Sequence, residues 1–380
     1  MNSSDNTISV LIPDTDNDKL LSLQVVNCLS VKKNIKIYIL TSKKSNHLRY
    51  SLNVKRVTLV PKCDSIEWIN YINILVEKHR IDVILPVYDY AINTLIKYKN
   101  RLNTEEKLCV LPELRFYETA SDKGLLYNHL VKYALPCPKS VIVKSDSLPN
   151  LSELNYPIIA KPVIGFSGGR RICVLNNYKD VIKYVNTVDY GGNAIYQNYI
   201  NGYDLSCNLL CNNGELLAFT IQRAELSREV DFSPQSNFTF IKEPKLLDIL
   251  KQIVKSLEWS GPANIDVRYS TDDNSFKIIE INSRYWVNVD ASVLTNVNFP
   301  YLHCQLSLDK PILQPVESKT MTYLSFRGLI KTILEKPSTL FKFRFLKNHT
   351  PLKFALKDPL PMFYLFVWRT RNILFKKAAK

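Results

Sequence analysis

Three of the ten glycines in this 380-residue chain fall within five residues, in the segment AKPVIGFSGGRRI (160–172): they are Gly165, Gly168 and Gly169. Lys161 precedes them, and two arginines follow. Because glycine has no Cβ, backbone N–H groups in such a loop can converge on phosphate oxygens, and the cationic neighbours would add attraction. The alternative is a plain hairpin turn with solvated basic flanks. The segment alone leaves both interpretations open.

A second candidate group stands in the segment IEINSRYW (279–286). Glu280 and Asn282 alternate with isoleucines, so both side chains point from one face of a strand, and Arg284 continues that face if the strand persists. Asp266, in the segment NIDVRY, would lie on a neighbouring strand. Two carboxylates and an amide facing one way suit Mg²⁺, which prefers a few carboxylates together with substrate phosphates. The alternative is a solvated sheet face.

The elements that must position these side chains differ along the chain. Short apolar runs alternate with amphipathic helical patterns before about residue 117, which predicts a parallel α/β sheet for residues 1–117. The predicted strands are 8–12, 35–40, 57–60 and 82–87. The next region, 118–312, is predicted to be α+β, with a helix capped by Ser121 or Asp122 and with antiparallel hairpins. One of these hairpins contains the glycine-rich loop.

The order of these motifs resembles the ATP-grasp superfamily, closest in style to its carbamoyl-phosphate-synthase-like and carboxylate–amine ligase members. The motifs are Lys123 in SDKG, Lys161 before the glycine-rich hairpin, QNYINGYD (197–204), NIDVRY and IEINSRYW. Each motif alone is weak, but five in this order extend the resemblance over roughly residues 8–310. The resemblance implies a parallel α/β pre-ATP-grasp domain, then an ATP-grasp fold of two α+β subdomains, followed by a basic helical tail, residues 313–380.

The resemblance also implies that ATP is the nucleotide. Lys123 and Lys161 would hold its phosphates, the glycine-rich loop would close over them, backbone groups of the QNYINGYD segment would meet the adenine edge, and two side chains of that segment would contact the ribose. The implied nucleotide-binding residues are Lys123, Lys161, Gly165, Ser167, Gly168, Gly169, Gln197, Asn198, Tyr199, Ile200 and Asp204, with Gln197 and Asp204 at the ribose.

Further roles follow from the resemblance for the metal and the acid substrate. Asp266, Glu280 and Asn282 match the ligands of Mg²⁺, with Mn²⁺ as an alternative metal. Arg284 matches the arginine that faces the γ-phosphate and the acyl intermediate, so Arg284 and the anchored Lys161 are the predicted catalytic residues. Arg223, in IQRAELSREV, would face the substrate together with Arg284.

The implied reaction is an ATP-dependent ligation. A carboxylate would be activated as an acyl phosphate for attack by an amine or another nucleophile, with release of ADP and phosphate. The enzyme would contribute mainly positioning and neutralisation of charge. The alternative is an ATP-grasp-like protein that binds a nucleotide or ligand without ligase activity, with association to a membrane. The complete set of predicted metal and phosphate ligands argues against that alternative.

The net charge of +15 is concentrated at the C-terminal end of the chain. Residues 319–380 hold 14 Lys and Arg residues but only two acidic ones, Glu335 and Asp358. Such asymmetry indicates an anionic partner. Three interpretations stay open: a helical appendage with solvated basic residues, a surface for an anionic membrane, and a nucleic-acid contact, which is the least favoured.

The rest of the composition predicts a cytoplasmic protein. None of the eight cysteines forms a CxxC motif, so we expect reduced thiols. The segment MNSSDNT lacks the basic and apolar regions of a signal peptide. The apolar run 360–368 is about half the length that spans a bilayer. If the tail contacts a membrane, the predicted location is peripheral, at its inner face.

Overall fold

The computed structural model describes the chain except residues 1–6, 14–19, 145, 166–170, 188–191, 225–236, 313–314 and 379–380, and side chains from residue 369 onward. The chain divides into two compact units. The first unit comprises residues 1–111, 284–318 and 323–380, and the second unit comprises residues 112–283 and 319–322. The boundaries 1–117, 118–312 and 313–380 remain a prediction about domains.

Residues 1–111 of the first unit form the parallel α/β sheet that alternation of apolar strands and helices predicts. Its strands run in the order β3-β2-β1-β4, and every pairing is parallel. The fourth strand is shorter than predicted, because Pro86 has no N–H to continue the ladder. The elements are β1 (Ile8–Pro13), α1 (Leu21–Ser30), β2 (Ile35–Thr41), β3 (Val54–Leu59), α2 (Ser65–His79), β4 (Val83–Ile84) and α3 (Asp89–Lys97).

The second unit contains two antiparallel sheets, so the predicted α+β class is confirmed. A four-stranded sheet has the order β5-β8-β6-β7, and a larger sheet includes the order β13-β12-β9-β10-β11. The elements are α4 (Leu114–Ser121), α5 (Lys123–Lys132), β5 (Ser140–Lys144), β6 (Ile158–Pro162), β7 (Cys173–Leu175), α6 (Tyr178–Thr187), β8 (Asn193–Asn198), β9 (Gly202–Asn212), β10 (Glu215–Ala224), β11 (Asn237–Ile241), α7 (Pro244–Ser256), β12 (Gly261–Ser270) and β13 (Ser275–Asn282).

The larger sheet is apolar on one face, where α7 covers it. Leu246, Leu250 and Ile253 recur at spacings of three and four, and all are buried in a core that includes Leu205 and Val267 from the sheet. Because side chains alternate along a strand, the residues between these apolar positions point to the opposite face. That opposite face carries the candidate site.

The remainder of the chain is mainly helical, with two short strands. Among the described residues, no helix is both long and apolar enough to cross a membrane. The elements are α8 (Val289–Leu294), α9 (Phe299–Leu306), β14 (Val316–Glu317), β15 (Met321–Leu324), α10 (Phe326–Glu335), α11 (Phe343–His349), α12 (Leu352–Ala355) and α13 (Pro359–Ala378).

Gly202 offers a test of the sheet that positions the site. It begins β9 with φ +137°, and a Cβ at this position would lie 1.9 Å from the carbonyl oxygen of Tyr269. We therefore expect Gly202→Ala to lower the free energy of unfolding by more than about 2 kcal/mol in urea titrations. Gly192→Ala is the matched control, because a Cβ there would meet nothing within 4 Å. If both variants lost only a similar small amount of unfolding free energy, the described pairing of β9 with β12 would be contradicted.

Candidate functional site

The pairing of three strands brings the acidic residues of the two sequence motifs together. Asp266 on β12 stands opposite Glu280 on β13 and opposite Ser206 on β9. Asn264 stands opposite Asn282 in the next row. Directly opposed residues share a face of the sheet, so these side chains all leave the face that α7 does not cover. The alternation in IEIN and NID therefore predicted this shared face correctly.

The three predicted metal ligands converge on one point. The amide Nδ2 of Asn282 lies 3.4 Å from Asp266 Oδ2 and 3.4 Å from Glu280 Oε1. The donors available here are carboxylate and amide oxygens, and this chemistry fits Mg²⁺ better than a metal that prefers thiolate or imidazole. Within the described parts of the chain, no group of three or more His, Cys, Asp or Glu side chains could hold a metal. Two carboxylates and one amide are fewer ligands than Mg²⁺ requires, so the set suits an ion that completes its coordination with substrate oxygens.

Lys123 reaches this point from the start of α5. The carboxylate of Asp122 caps that helix by accepting hydrogen bonds from the N–H groups of Gly124 at 2.7 Å and Leu125 at 2.9 Å. The cap fixes Lys123 as the first helical residue, and its Nζ lies 3.4 Å from Glu280 Oε2. Of the two predicted caps, Asp122 is the one that the structure uses.

Lys161 lies on β6 beside the same group. The N–H of Lys123 donates to the carbonyl oxygen of Val163 at 2.9 Å, which ties the start of α5 to the chain just after Lys161. The Lys161 side chain is only 3% exposed. Burial lowers its pKa to about 8; the carboxylates of Glu280 and Asp266 oppose that shift, whereas the charge of Lys123 adds to it.

Glu280 shows the complementary effect. Burial alone would raise the pKa of its carboxyl group, but the positive charges of Lys123 and Lys161 outweigh burial and hold the pKa below its ordinary value. Glu280 is thus ionised at neutral pH although it is partly buried. Two lysines and two acidic residues therefore lie together in one cluster, and their formal charges nearly cancel.

A chain of buried side-chain hydrogen bonds continues from this cluster across the sheet. Asn282 Nδ2 donates to Asn264 Oδ1 at 3.1 Å, Asn264 Nδ2 donates to Asn208 Oδ1 at 2.9 Å, and Asn208 Nδ2 donates to Thr220 Oγ1 at 3.0 Å. Each step crosses to the neighbouring strand. Because each of these asparagine amides donates to the next side chain, the amide of Asn282 is held in one position.

The segment predicted to meet the nucleotide base and ribose is also held firmly. The N–H groups of Asn198 and Tyr199 donate to backbone carbonyl oxygens, and Gln197 is buried with its amide donating to Ser140 Oγ at 2.9 Å. Arg268 binds both the Ile200 carbonyl oxygen and Asp204, whose Oδ1 lies 2.7 Å from the guanidinium. The contacts of this segment with adenine and ribose stay predictions.

Other predicted site residues are not joined to this cluster. Ser167, Gly168 and Gly169 lie outside the described residues, whereas Gly165 is described, with φ +81°. Arg223 pairs with Leu205, a residue of the apolar core, and its guanidinium lies 4.2 Å from the centre of the Tyr203 ring. Its side chain therefore leaves the face opposite to that of Asp266, and the register does not bring it to the candidate site.

Arg284 belongs to the first unit, and β13 ends two residues before it, at Asn282. The strand therefore does not persist to Arg284, and alternation along β13 does not fix where this side chain points. Its Nε lies 2.8 Å from Asp89 Oδ2, and its Nη1 donates to the carbonyl oxygen of Tyr285 at 2.8 Å. The role of Arg284 at a γ-phosphate stays a prediction.

Two residues that hold the site in place were missed at the sequence level. Asn264 links Asn282 to the rest of the amide chain, and Arg268 clamps the predicted nucleotide segment. Both alternate with Asp266 in the segment NIDVRY, which is the same period-two signal that identified the metal ligands. That signal could have identified them.

The region that contains these lysines, carboxylates and amides matches a known protein family. Residues 120–286 match the family model for the ATP-grasp domain. The chain therefore carries an ATP-grasp domain, and the resemblance that its motifs indicated is confirmed.

Curated relatives extend the comparison. The chain is 23% identical over 236 residues to a D-aspartate ligase from Enterococcus faecium, covering 55% of this chain and 54% of that protein. It is 24% identical over 217 residues to a carbamoyl-phosphate synthase from Methanobrevibacter smithii, covering 54% of this chain and 57% of that protein. The matched part thus spans about half the length of each relative.

Among solved structures, N5-carboxyaminoimidazole synthetase from Staphylococcus aureus complexed with ADP is similar, with a TM-score of 0.67. The similarity covers 89% of this chain and 88% of that chain at 16% identity. At this level of identity the comparison establishes the fold.

The buried ammonium of Lys161 generates a prediction about stability. Its pKa of about 8 lies below the ordinary value of 10.5, so between these pH values the unfolded chain binds more protons than the folded one. This group therefore makes the free energy of unfolding rise with pH across that window. We expect Lys161→Met to raise the free energy of unfolding at about pH 7 by about 1–3 kcal/mol, because it removes a costly buried charge.

Urea titrations of both proteins at neutral and alkaline pH measure this effect. The advantage of Lys161→Met should shrink as the pH rises through the window, since the wild-type ammonium then loses its charge. Lys245→Met, at an exposed position on α7, is the matched control and should change neither the stability nor its pH dependence. A destabilised Lys161→Met variant would show that the ammonium is not an electrostatic burden on the fold.

Proposed function

We propose that this protein is an ATP-dependent ligase, most plainly a carboxylate–amine ligase that forms a carbon–nitrogen bond. A carboxylate oxygen of the acid substrate attacks the γ-phosphorus of ATP, the bond from that phosphorus to ADP breaks, and an acyl phosphate forms. The amine then attacks the acyl carbon, and phosphate leaves. The observation that carries the proposal is the convergence of Lys123, Lys161, Asp266, Glu280 and Asn282 in the second unit.

The two lysines are proposed to bind the phosphates of ATP. Their ammonium groups would donate hydrogen bonds to phosphate oxygens, and Lys161 keeps its charge at neutral pH although it is buried. A buried cation acts more strongly on a nearby phosphate than an exposed one, because less water screens it. Gly165 and the residues that follow would form the loop over the phosphates, which stays a proposal from the sequence.

Asp266, Glu280 and Asn282 are proposed to hold Mg²⁺, with Mn²⁺ as the alternative. The metal, when bound, would neutralise phosphate charge and polarise the transferring phosphoryl group. The residues fit such an ion because all three offer oxygen atoms on one face of the sheet, and because the lysines keep Glu280 ionised. The amide chain through Asn264 supports the same role by holding Asn282 in place.

The remaining roles rest on the family resemblance. Backbone groups of residues 198–200 are proposed to meet adenine, and Gln197 and Asp204 to approach the ribose. Arg284 is proposed to face the transferring phosphoryl group. The chain matches only about half of each curated relative, so the identity of the acid and of the amine is not carried over from them.

A coupled assay of ADP release tests the proposal. Purified full-length protein with Mg·ATP is screened against D- and L-amino acids and sugar acids as carboxylates, each paired with a panel of amines. We expect ADP and phosphate to appear in equal amounts, and only when an acid is present. Tight binding of Mg·ATP without ADP release for any pair would favour a nucleotide-binding protein that does not catalyse ligation.

Glu280→Gln is the single variant that tests the proposed metal role most directly. It keeps the shape of the side chain but removes the negative charge proposed to face Mg²⁺ and the lysines. We expect the rate of ADP release with the acid found in the screen to fall by at least about 100-fold, because a charged group at the phosphoryl-transfer site is lost. Steady-state kinetics at several Mg²⁺ concentrations measure this change.

Asp248→Asn is the matched control for Glu280→Gln, because the carboxylate of Asp248 lies exposed on α7. It should leave the rate unchanged. Circular dichroism and thermal unfolding of all three proteins separate loss of catalysis from loss of fold. Full activity in a folded Glu280→Gln variant would exclude the proposed metal role of Glu280.

We also propose a cytoplasmic location, which the free state of all eight cysteines supports. An anionic membrane surface is the proposed partner of residues 319–380, and nucleic acid is not.

A further inference from the structure

The C-terminal helices carry large apolar side chains on their outer surface. Phe341 and Phe343 are 79% and 75% exposed, and Leu334 on α10 is 77% exposed. Single exposed apolar residues are ordinary in proteins, but so many large ones within one short segment indicate an interaction surface. Lys342 and Arg344 alternate with the two phenylalanines, and both are exposed. We call the exposed residues between 327 and 367 the apolar–basic surface.

The last helix, α13, extends the apolar–basic surface. Leu360, Phe363 and Val367 are exposed and recur at spacings of three and four, so they share one side of the helix. Leu365 is buried on the other side. The helix is therefore apolar both on the side that packs against the rest of the first unit and on the side that faces outward. Packing within the first unit explains the buried side only.

The start of α13 is fixed to the first unit by an acidic residue. Asp358 is buried, and its carboxylate accepts hydrogen bonds from the Leu52 N–H at 3.1 Å and from Asn53 Nδ2 at 3.0 Å. The rings of Tyr50 and Tyr364 lie 4.9 Å apart and add a second contact. These contacts hold the start of α13 against the rest of the first unit.

The same contact alters the charge of the apolar–basic surface. Asp358 and Glu335 are the only acidic residues in 319–380, against 14 Lys and Arg residues. Asp358 is buried in its contact with residues 51–53, and Glu335 lies 3.9 Å from Lys331. Within this segment, little negative charge therefore faces outward to balance the basic residues. The outer surface is both strongly cationic and apolar.

We propose that the apolar–basic surface docks on an anionic phospholipid bilayer. Phe341, Phe343 and Phe363 would enter the boundary between headgroups and acyl chains, and Lys342 and Arg344 would lie at the lipid phosphates. A membrane surface accepts apolar and cationic side chains together, and binding gains from both. This inference rests on the membrane partner proposed above for residues 319–380 and assigns it to particular side chains, and it does not depend on the ligase reaction.

The composition of the apolar–basic surface favours a bilayer over other anionic partners. Six of the eight basic residues in 327–367 are lysines, and lysine is depleted in protein–protein interfaces, where arginine is preferred. Aliphatic side chains such as Leu334 and Leu360 offer nothing to stack on a nucleic-acid base. The acyl-chain boundary accommodates them directly.

Sedimentation with vesicles tests the proposal, using full-length protein. Vesicles of phosphatidylcholine and phosphatidylglycerol in equal parts are compared with vesicles of phosphatidylcholine alone. We expect the protein to bind the anionic vesicles much more strongly than the neutral ones. Failure of the wild-type protein to bind anionic vesicles would overturn the proposal.

Two double variants separate the apolar and the basic contributions. We expect Lys342→Gln with Arg344→Gln to weaken vesicle binding about 30-fold, since each basic residue contributes about fivefold. We expect Phe341→Ser with Phe343→Ser to weaken it at least about tenfold, since both rings lose a buried environment. All four positions are exposed, so the fold should be retained.

Matched controls lie elsewhere on the first unit. Lys55→Gln with Arg56→Gln removes two exposed charges from β3, and Ile74→Ser removes an exposed apolar side chain from α2. Neither should change vesicle binding. Binding that is equally sensitive to these controls would contradict a defined docking surface. Binding of a single-stranded oligonucleotide that competes with vesicles and depends on the same four residues would instead assign the surface to nucleic acid.

Discussion

The buried ammonium of Lys161 is the constraint around which the second unit is organised. An isolated charge removed from water is very costly, so it requires opposite charges nearby. Glu280 and Asp266 supply them from β13 and β12, while Lys161 itself lies on β6 of the other sheet. Lys123 at the start of α5 completes the balance. The cluster therefore links both sheets and one helix of this unit through its charges.

This balance gives a physical reason for the metal that the proposed function places beside the lysines. A triphosphate entering the cluster gains from two ammonium groups but meets the carboxylates of Glu280 and Asp266, which would repel it. A divalent cation held by Glu280 and Asp266 would turn that repulsion into attraction. Carboxylates that look unfavourable for an anionic ligand thus become reasonable in a site for a metal–nucleotide complex.

Alternation along strands was enough to predict the shared face of Asp266, Glu280 and Asn282, because opposed residues of a hairpin keep the same parity. It was not enough for Arg223, because its face depends on how β10 pairs with β9, and no local pattern fixes that register. Alternation also could not predict where the side chain of Arg284 points, because β13 ends at Asn282. The proximity of Lys123 to Glu280 depends on contacts between distant segments, so only the family resemblance indicated it.

The composition of residues 319–380 predicted a basic segment, but not which side chains face outward or that Asp358 is buried. The charges of the candidate site nearly cancel, so the site does not require the excess of positive charge in this segment. At physiological salt, exposed charges act over only about 8 Å. The basic residues of the apolar–basic surface would therefore act only on a partner in direct contact with them, and the proposed bilayer would also accept the phenylalanines between them.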